Sequence, residues 1–268
     1  MQLIILAAGM STRYGKLKQL DIIHNNKSIM DFSIEDAKKA GINDVILIVN
    51  PLNIDLFKEK YGDKVKYAIQ DNKYINLNYD KPLGTSYALY VAKDLITEDF
   101  IVINADDYYG PNAFNICKDF FETNKSDYAV LSYQLKDVVS ENGSVNRGII
   151  EMDDEYYIKS VKETKNIEVK DNKYIDKDSN ILDGECQTSM GFHLFKPDVF
   201  TYLDTYIKYH VENKTYLNKE LYLTDFMMNI VSKGIKKIKI LTTKDRWQGV
   251  TYITDKEIIK NYFEKLDN

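Results

Sequence analysis

Arginine is nearly absent from this chain. It stands only at positions 13, 147 and 246, although the basic residues number 36 in all. Histidine occurs three times, cysteine twice, proline four times and tryptophan once. Each scarcity closes off a class of chemistry. Cys117 and Cys186 offer neither a disulfide framework nor the paired spacing of a zinc site, the usage expected of a reducing cytoplasm. His24, His193 and His210 are scattered away from the conspicuous motifs, so no Ser/His/Asp set emerges. No apolar run approaches membrane-spanning length, and the opening run lacks a basic leader, so neither a membrane span nor a secretory signal is expected. Excess positive charge is missing too. A net charge of −5 and a pI near 5.4 argue against a nucleic-acid partner, and any phosphate ligand has to be held by local charge.

What is present suffices for a large core: 268 residues, 44% of them hydrophobic. The 21 tyrosines read as packing, and the Lys/Asn/Ile/Tyr bias as AT-rich coding. Arginines that survive such a bias stand out, because the planar guanidinium grips phosphate in a way lysine cannot.

Buried strands are expected at Leu3–Leu6, Val45–Val49, Val65–Gln70, Phe100–Ala105 and Tyr128–Leu135, each a short apolar run. Between them helical spacing predicts helices over Ser28–Ala40 (stopped by Gly41), Asn53–Tyr61, Pro82 to about Leu95, and Pro111 to about Thr123, with Pro111 at the first helical position. Residues 71–81 read as a loop over the strand ends. From Ser140 to Asp183 the pattern turns to β-hairpins and charged loops, with a polar excursion at 166–180. A strand Met190–Phe195, helices to about His210 and over Glu220–Lys233, a strand Ile235–Leu241 and a last helix from Thr254 to Leu266 complete the chain, with Thr254 or Asp255 as its cap. The alternation implies an α/β fold with a mixed, mostly parallel sheet flanked by helices on both faces and an inserted β-hairpin region. Without a repeat or a Gly/Ser/Pro-rich linker, residues 1–268 read as one domain. Within it residues 1–139 carry the strand–helix alternation, 140–240 open with the hairpins, and 241–268 are expected to be a terminal segment and helix.

The first strand runs into Ala7-Ala8-Gly9-Met10-Ser11-Thr12-Arg13-Tyr14-Gly15-Lys16-Leu17-Lys18. Small residues and two glycines leave backbone amides free to form an anion-binding concavity, and Arg13, Lys16 and Lys18 add charge. The place is the strand end at which open α/β sheets bind ligands, and a triphosphate fits it. Two familiar glycine loops do not. A Walker loop requires G-x-x-x-x-G-K-[ST], but here the glycines are one residue too far apart and Leu17 follows Lys16. A dinucleotide fingerprint requires G-x-G-x-x-G, and Ser11 takes the place of its middle glycine.

The order of LAAGMSTRYGKLKQ, KPLGTSYAL and VINADDYYG, with weaker matches RGIIE, KETK, SMGFHLF and RWQGVTY, resembles the sugar-phosphate nucleotidyltransferases of the glucose-1-phosphate thymidylyl- and uridylyltransferase type. The resemblance spans most of the chain and implies that residues 1–139 are its nucleotide-binding half and 140–240 its acceptor-binding half. It implies a Rossmann-like single domain in which a phosphate monoester attacks the α-phosphorus of a nucleoside triphosphate and pyrophosphate leaves. Mg²⁺ is implied as cofactor and a sugar-1-phosphate as acceptor. The nucleophile is already an anion, so alignment and positive charge matter more than a general base.

On this reading Arg13 faces the departing β/γ-phosphates, Lys18 the α-phosphate, and Asp106 holds Mg²⁺. Ala8, Gly9, Met10, Ser11, Thr12, Gln70, Pro82, Gly84, Thr85 and Asp107 surround the nucleotide, with Gln70 reading the base. Arg147, Gly148, Glu163, Lys165 and Gly191 meet the acceptor. Lys16 and Asp107 have plainer uses, as a solvated cation and as a cap or water ligand.

One departure stands out. The resemblance implies a second metal-holding aspartate just after the late tryptophan, but the chain reads Trp247-Gln248-Gly249. Either Asp225, Asp245 or Asp255 substitutes, or phosphates and water complete the metal's shell, or the acceptor is not a sugar phosphate. A cytidylyltransferase acting on phosphocholine or another non-sugar phosphate, and a nucleotide-binding regulatory protein with weakened catalysis, are the rival readings. The nucleobase and any homo-oligomer stay open.

Overall fold

Short apolar strands separated by amphipathic helices produce the expected alternation. The computed structural model describes residues 1–9, 17–124, 127–140, 143–250 and 255–266. In chain order the first half holds β1 (Gln2–Leu6), α1 (Ile29–Lys39), β2 (Asp44–Val49), α2 (Ile54–Tyr61), β3 (Lys66–Ile69), α3 (Thr85–Tyr90), β4 (Phe100–Asn104), β5 (Asp107–Tyr108), α4 (Ala113–Thr123) and β6 (Tyr128–Gln134). The second holds β7 (Val145–Met152), β8 (Ile158–Lys170), β9 (Lys173–Ile175), β10 (Ile181–Leu182), β11 (Gln187–Phe195), α5 (Val199–Glu212), α6 (Leu223–Ser232), β12 (Ile238–Thr242), β13 (Gln248–Gly249) and α7 (Asp255–Leu266).

Among the described residues eleven strands form one mixed sheet in the order β10-β9-β8-β7-β11-β4-β1-β2-β3, with β6 joined to β11 and β12 to β6. Its core, β4-β1-β2-β3, is parallel. Beyond β4 the pairings of β11, β7, β8, β9 and β10 are antiparallel, while β12 runs parallel to β6. Strand alternation sorts the core into two layers. Leu3, Ile5, Val45, Leu47, Ile101 and Ile103 face α1, α2 and α4. Ile4, Ile46, Ile48, Phe100 and Val102 face α3, α5 and α6. A third cluster seats α7, where Phe263 stacks on Phe32 at 3.6 Å between ring centroids and meets Tyr108 edge-on.

The departures from expectation have local causes. The helix after Pro82 ends at Tyr90, and a separate single turn follows at Lys93–Leu95. Residues 86–92 are buried all round, so apolar spacing there carries no information on helix length. α4 begins two residues after Pro111, because the Asp245 carboxylate takes both the Asn112 backbone N–H (2.7 Å) and its side-chain amide (2.9 Å). The polar stretch 166–180 is largely strand. β8 runs through Lys170 and returns as β9 over Asp171-Asn172, both at positive φ, a two-residue turn that matches strand twist. Its side chains are mostly solvated, so no alternation marked it.

Candidate active site

The carboxyl ends of β1, β2, β3 and β4 lie side by side, and hydrogen bonds hold the chain just beyond them in line. Ala7 N–H donates to Ile48 O (2.8 Å), Ala105 N–H to Leu6 O (3.2 Å), and Gln70 N–H to Val49 O (2.9 Å). Past β1, the buried Gln19 side chain donates to the carbonyls of Ala7 and Gly9 (3.1 Å each), fixing the start of the turn. Composition alone gave no hint of Gln19's part. Met10, Ser11, Thr12, Arg13 and Lys16 lie outside the described residues, as does Thr254.

Lys18 and Asp106 meet as an ion pair, so the turn after β1 and the acid pair after β4 converge. Their side chains keep 23% and 33% of their surface exposed, which leaves both open to a ligand. A late segment closes the junction from a third side. Lys18 Nζ donates to Val250 O (2.9 Å), and Val250 N–H donates to Asp106 O (3.1 Å). This continues the small antiparallel pair β5–β13, in which Gly249 stands opposite Asp107 and Gln248 opposite Tyr108.

Asp107 differs from its neighbour. Its Oδ2 accepts from Asn104 Nδ2 (2.9 Å) and from Tyr109 OH (3.3 Å), and Tyr109 OH also donates to Met190 O (3.0 Å). Burial, reinforced by the charge of Asp106, pushes its carboxyl up to about 7 against the hydrogen bond from Asn104. Gly191 explains the arrangement. It sits at φ +80° at an irregularity of β11, and a Cβ there would come within 2.3 Å of the Asn104 amide nitrogen. Gly191 therefore packs behind the acid pair.

Beside this junction opens a cavity of about 670 Å³, within the range of small-molecule sites. Ala8, Gln70 and Pro82 line it together with Leu52, Leu77 and Tyr79. Gln70 Nε2 is held by Gly84 O at 3.4 Å. Gly84 and Thr85 turn toward the chain before α6. Gly84 has φ +102° with the Leu221 backbone 2.7 Å from where its Cβ would be, and Thr85 Oγ1 accepts from Leu223 N–H (2.8 Å). The loop over the cavity is braced by Asn72 Nδ2, which donates to the carbonyls of Tyr79 and Lys81 (2.9 Å to the latter), and by Tyr87 OH, which donates to Asp71 O (2.7 Å).

On the other side, β7 and β8 bring Gly148 opposite Glu163 and Arg147 opposite Thr164, with exposed Lys165 next along β8. The Arg147 guanidinium lies 5.0 Å from the centre of the Trp247 ring and donates to Val138 O from Nε (2.8 Å) and Nη2 (2.5 Å). Burial works against its charge, and the carboxylates of Asp107 and Glu163 support it.

The substitutes for the late aspartate are not brought to the site. Asp225 pairs with Lys219 (2.8 Å), Asp245 caps α4, and Asp255 is buried at the start of α7. Among the described residues no group of three acidic, histidine or cysteine side chains gathers as a metal cage. The donor set suits a hard cation that takes one or two carboxylates and completes its shell with phosphate and water.

The model of the nucleotidyl transferase family matches residues 2–255. A CTP:phosphoglutamine cytidylyltransferase of Campylobacter jejuni is 26% identical over 96% of this chain and 98% of that protein. A UTP–glucose-1-phosphate uridylyltransferase of Staphylococcus epidermidis is 24% identical over 86% of the chain and 81% of its own length. A choline-phosphate cytidylyltransferase of Streptococcus pneumoniae is 35% identical over 42% of the chain, a match that spans about half (48%) of that relative's length. The solved inositol-1-phosphate CTP transferase of T. maritima superposes over 100% of this chain and 96% of its own, with a TM-score of 0.70 at 14% identity. The family model thus covers all the strands that build the junction, and the chain belongs to the nucleotidyl transferase family.

Proposed function

We propose that the chain transfers a cytidylyl group from CTP to a small, non-sugar phosphate monoester, releasing pyrophosphate. The observation that carries this reading is the crowding at Gly249. A Cβ there would stand 2.1 Å from the Trp247 ring and 2.7 Å from Asp107 Oδ1, so the turn is built without the carboxylate that the sugar-phosphate pattern places in it. The names of the Campylobacter and Streptococcus relatives, and of the T. maritima structure, agree with CTP and with acceptors that are not aldose phosphates. The sugar-1-phosphate reading is the second one. The Gly148–Glu163 pair and the likeness to the uridylyltransferase over 86% of the chain favour it.

In either case the roles on this chain are the same. The base enters the cavity of Ala8, Gln70 and Pro82, and the triphosphate crosses the turn after β1, with Arg13 toward its leaving end. Lys18 releases Asp106 and takes the α-phosphate, where negative charge builds as the acceptor oxygen closes in line. Mg²⁺, held through Asp106, would neutralise the phosphate oxygens. Arg147, Glu163 and Lys165 orient the acceptor. No proton has to leave an acceptor that is already an anion, which agrees with the burial of His193 in the sheet, away from the junction.

The test is pyrophosphate release with Mg²⁺ across four nucleoside triphosphates and a panel of phosphorylated acceptors. CTP with phosphocholine or a phosphorylated amino-acid derivative is expected to exceed every other pair. Turnover chiefly of UTP or dTTP with glucose-1-phosphate would establish the second reading. Tight CTP binding with no turnover of any pair would leave a regulatory protein.

A further inference from the structure

Two oddities of the sequence meet in space. The late motif has glycine at 249, and the end of β4 carries two acids in succession. Gly249 pairs with Asp107 across β5–β13, and the start of any side chain at 249 would fall 2.7 Å from Asp107 Oδ1. The Trp247 ring, 2.1 Å away, and the Asp107 carboxylate together fill the space in which a side chain at 249 would begin. The carboxylate is also aimed. Asn104 and Tyr109 hold Oδ2, and the Asn104 amide is lodged where Gly191 leaves room for it. Among the described residues Oδ1 accepts no hydrogen bond. A carboxylate with one oxygen fixed by neighbours and the other without a hydrogen bond from the described residues is a form suited to an oriented metal ligand. Asp106, the adjacent acid, has Lys18 against its carboxylate, whereas Asp107 makes no direct ion pair among the described residues and feels Lys18 and Arg147 only through their charge.

We infer that Asp107 Oδ1 is the second carboxylate oxygen for the divalent cation, doing on this chain what the late aspartate does in the sugar-phosphate pattern. On this chain that carboxylate stands on β5, directly opposite Gly249 on β13. This rests on the reading of the site as one for metal-assisted nucleotidyl transfer.

The experiment is a titration of the full chain with Mn²⁺, with and without CTP, read by the electron paramagnetic resonance signal of free Mn²⁺. Asp107→Asn keeps the shape and the hydrogen bonds to Oδ2. It is expected to weaken Mn²⁺ binding about tenfold or more while the melting temperature is kept. Gly249→Ala removes no charge but crowds both the Trp247 ring and Oδ1, and it too is expected to weaken binding. Asp225→Asn, on the Lys219 pair, serves as the control and is expected to bind as the unaltered chain does. Mn²⁺ affinity within about twofold of the unaltered chain in folded Asp107→Asn overturns the inference. Should Asp107→Asn not fold, Gly249→Ala decides: weakened binding supports the inference and unchanged binding overturns it.

The two proposals fail separately. Pyrophosphate release by the unaltered chain, with Mn²⁺ affinity kept in both variants, defeats only the ligand assignment. Loss of Mn²⁺ affinity in a chain that turns over no acceptor defeats only the proposed reaction.

Discussion

Lys18 concentrates the chemistry proposed for this protein in one ammonium group. It touches Asp106 and the Val250 carbonyl, so it stands where three separate stretches of chain meet. Removing one preorganised donor from a developing phosphate charge costs about two to three orders of magnitude in turnover. Lys18→Ala is expected to show that loss in kcat under saturating nucleotide, and Lys16→Ala only a mild one; equal effects would contradict the assignment. A second residue speaks to pH. His193 is buried in β11 against Phe195, and burial holds its imidazole down at about 4, below the ordinary value near 6.5. Between those values the unfolded chain binds the proton and the folded chain does not. Stability from this group is therefore present above about pH 6.5 and is lost as pH falls toward 4, by about 1.4 kcal/mol per unit. Melting temperatures from pH 7 down to 4.5 are expected to fall less steeply in His193→Phe than in the unaltered chain. Parallel curves would show that His193 does not titrate this way.

At the scale of elements, the legible parts were those whose pattern reports burial. The parallel strands β1, β2 and β4 are buried on both faces and read as apolar runs. The antiparallel half was read less well, because β8 and β9 leave most side chains in water and so show no alternation. The short β5–β13 pair was invisible in the sequence. It is two residues on each side, too short to show an alternation, and Tyr108 of the pair packs with Val250 and with Ile259 and Phe263 of α7. Gly84, a nucleotide-binding candidate, packs on the Leu221 backbone while its carbonyl accepts from Gln70 Nε2. Gly84→Ala therefore meets both a positive φ and a backbone collision, and a loss of about 2 kcal/mol or more is expected in denaturant unfolding. A variant as stable as the unaltered chain would show that the 83–86 and 221–223 segments are not locked together.

Across the whole molecule, the sheet does two jobs with two kinds of pairing. Its parallel core gathers four strand ends around the junction and the adjoining cavity, and its antiparallel extension presents Gly148, Glu163 and Lys165 beyond β11. The family could be read from the order of short motifs, since each lies at a strand end that the fold collects. The acceptor could not, because it depends on side chains of β7, β8 and the late turn that come together only in three dimensions. Among the described residues no helix is long and apolar enough to cross a membrane. The central claim is that the Lys18–Asp106 junction holds the triphosphate and its metal, with the base in the cavity of Gln70. Anomalous diffraction from crystals soaked with Mn²⁺ and a non-hydrolysable CTP analogue tests it most directly. The expected result is a manganese peak beside Asp106, the α-phosphate within reach of Lys18 and cytosine against Gln70. A nucleotide bound away from Gln70, or manganese seated away from Asp106, would contradict it.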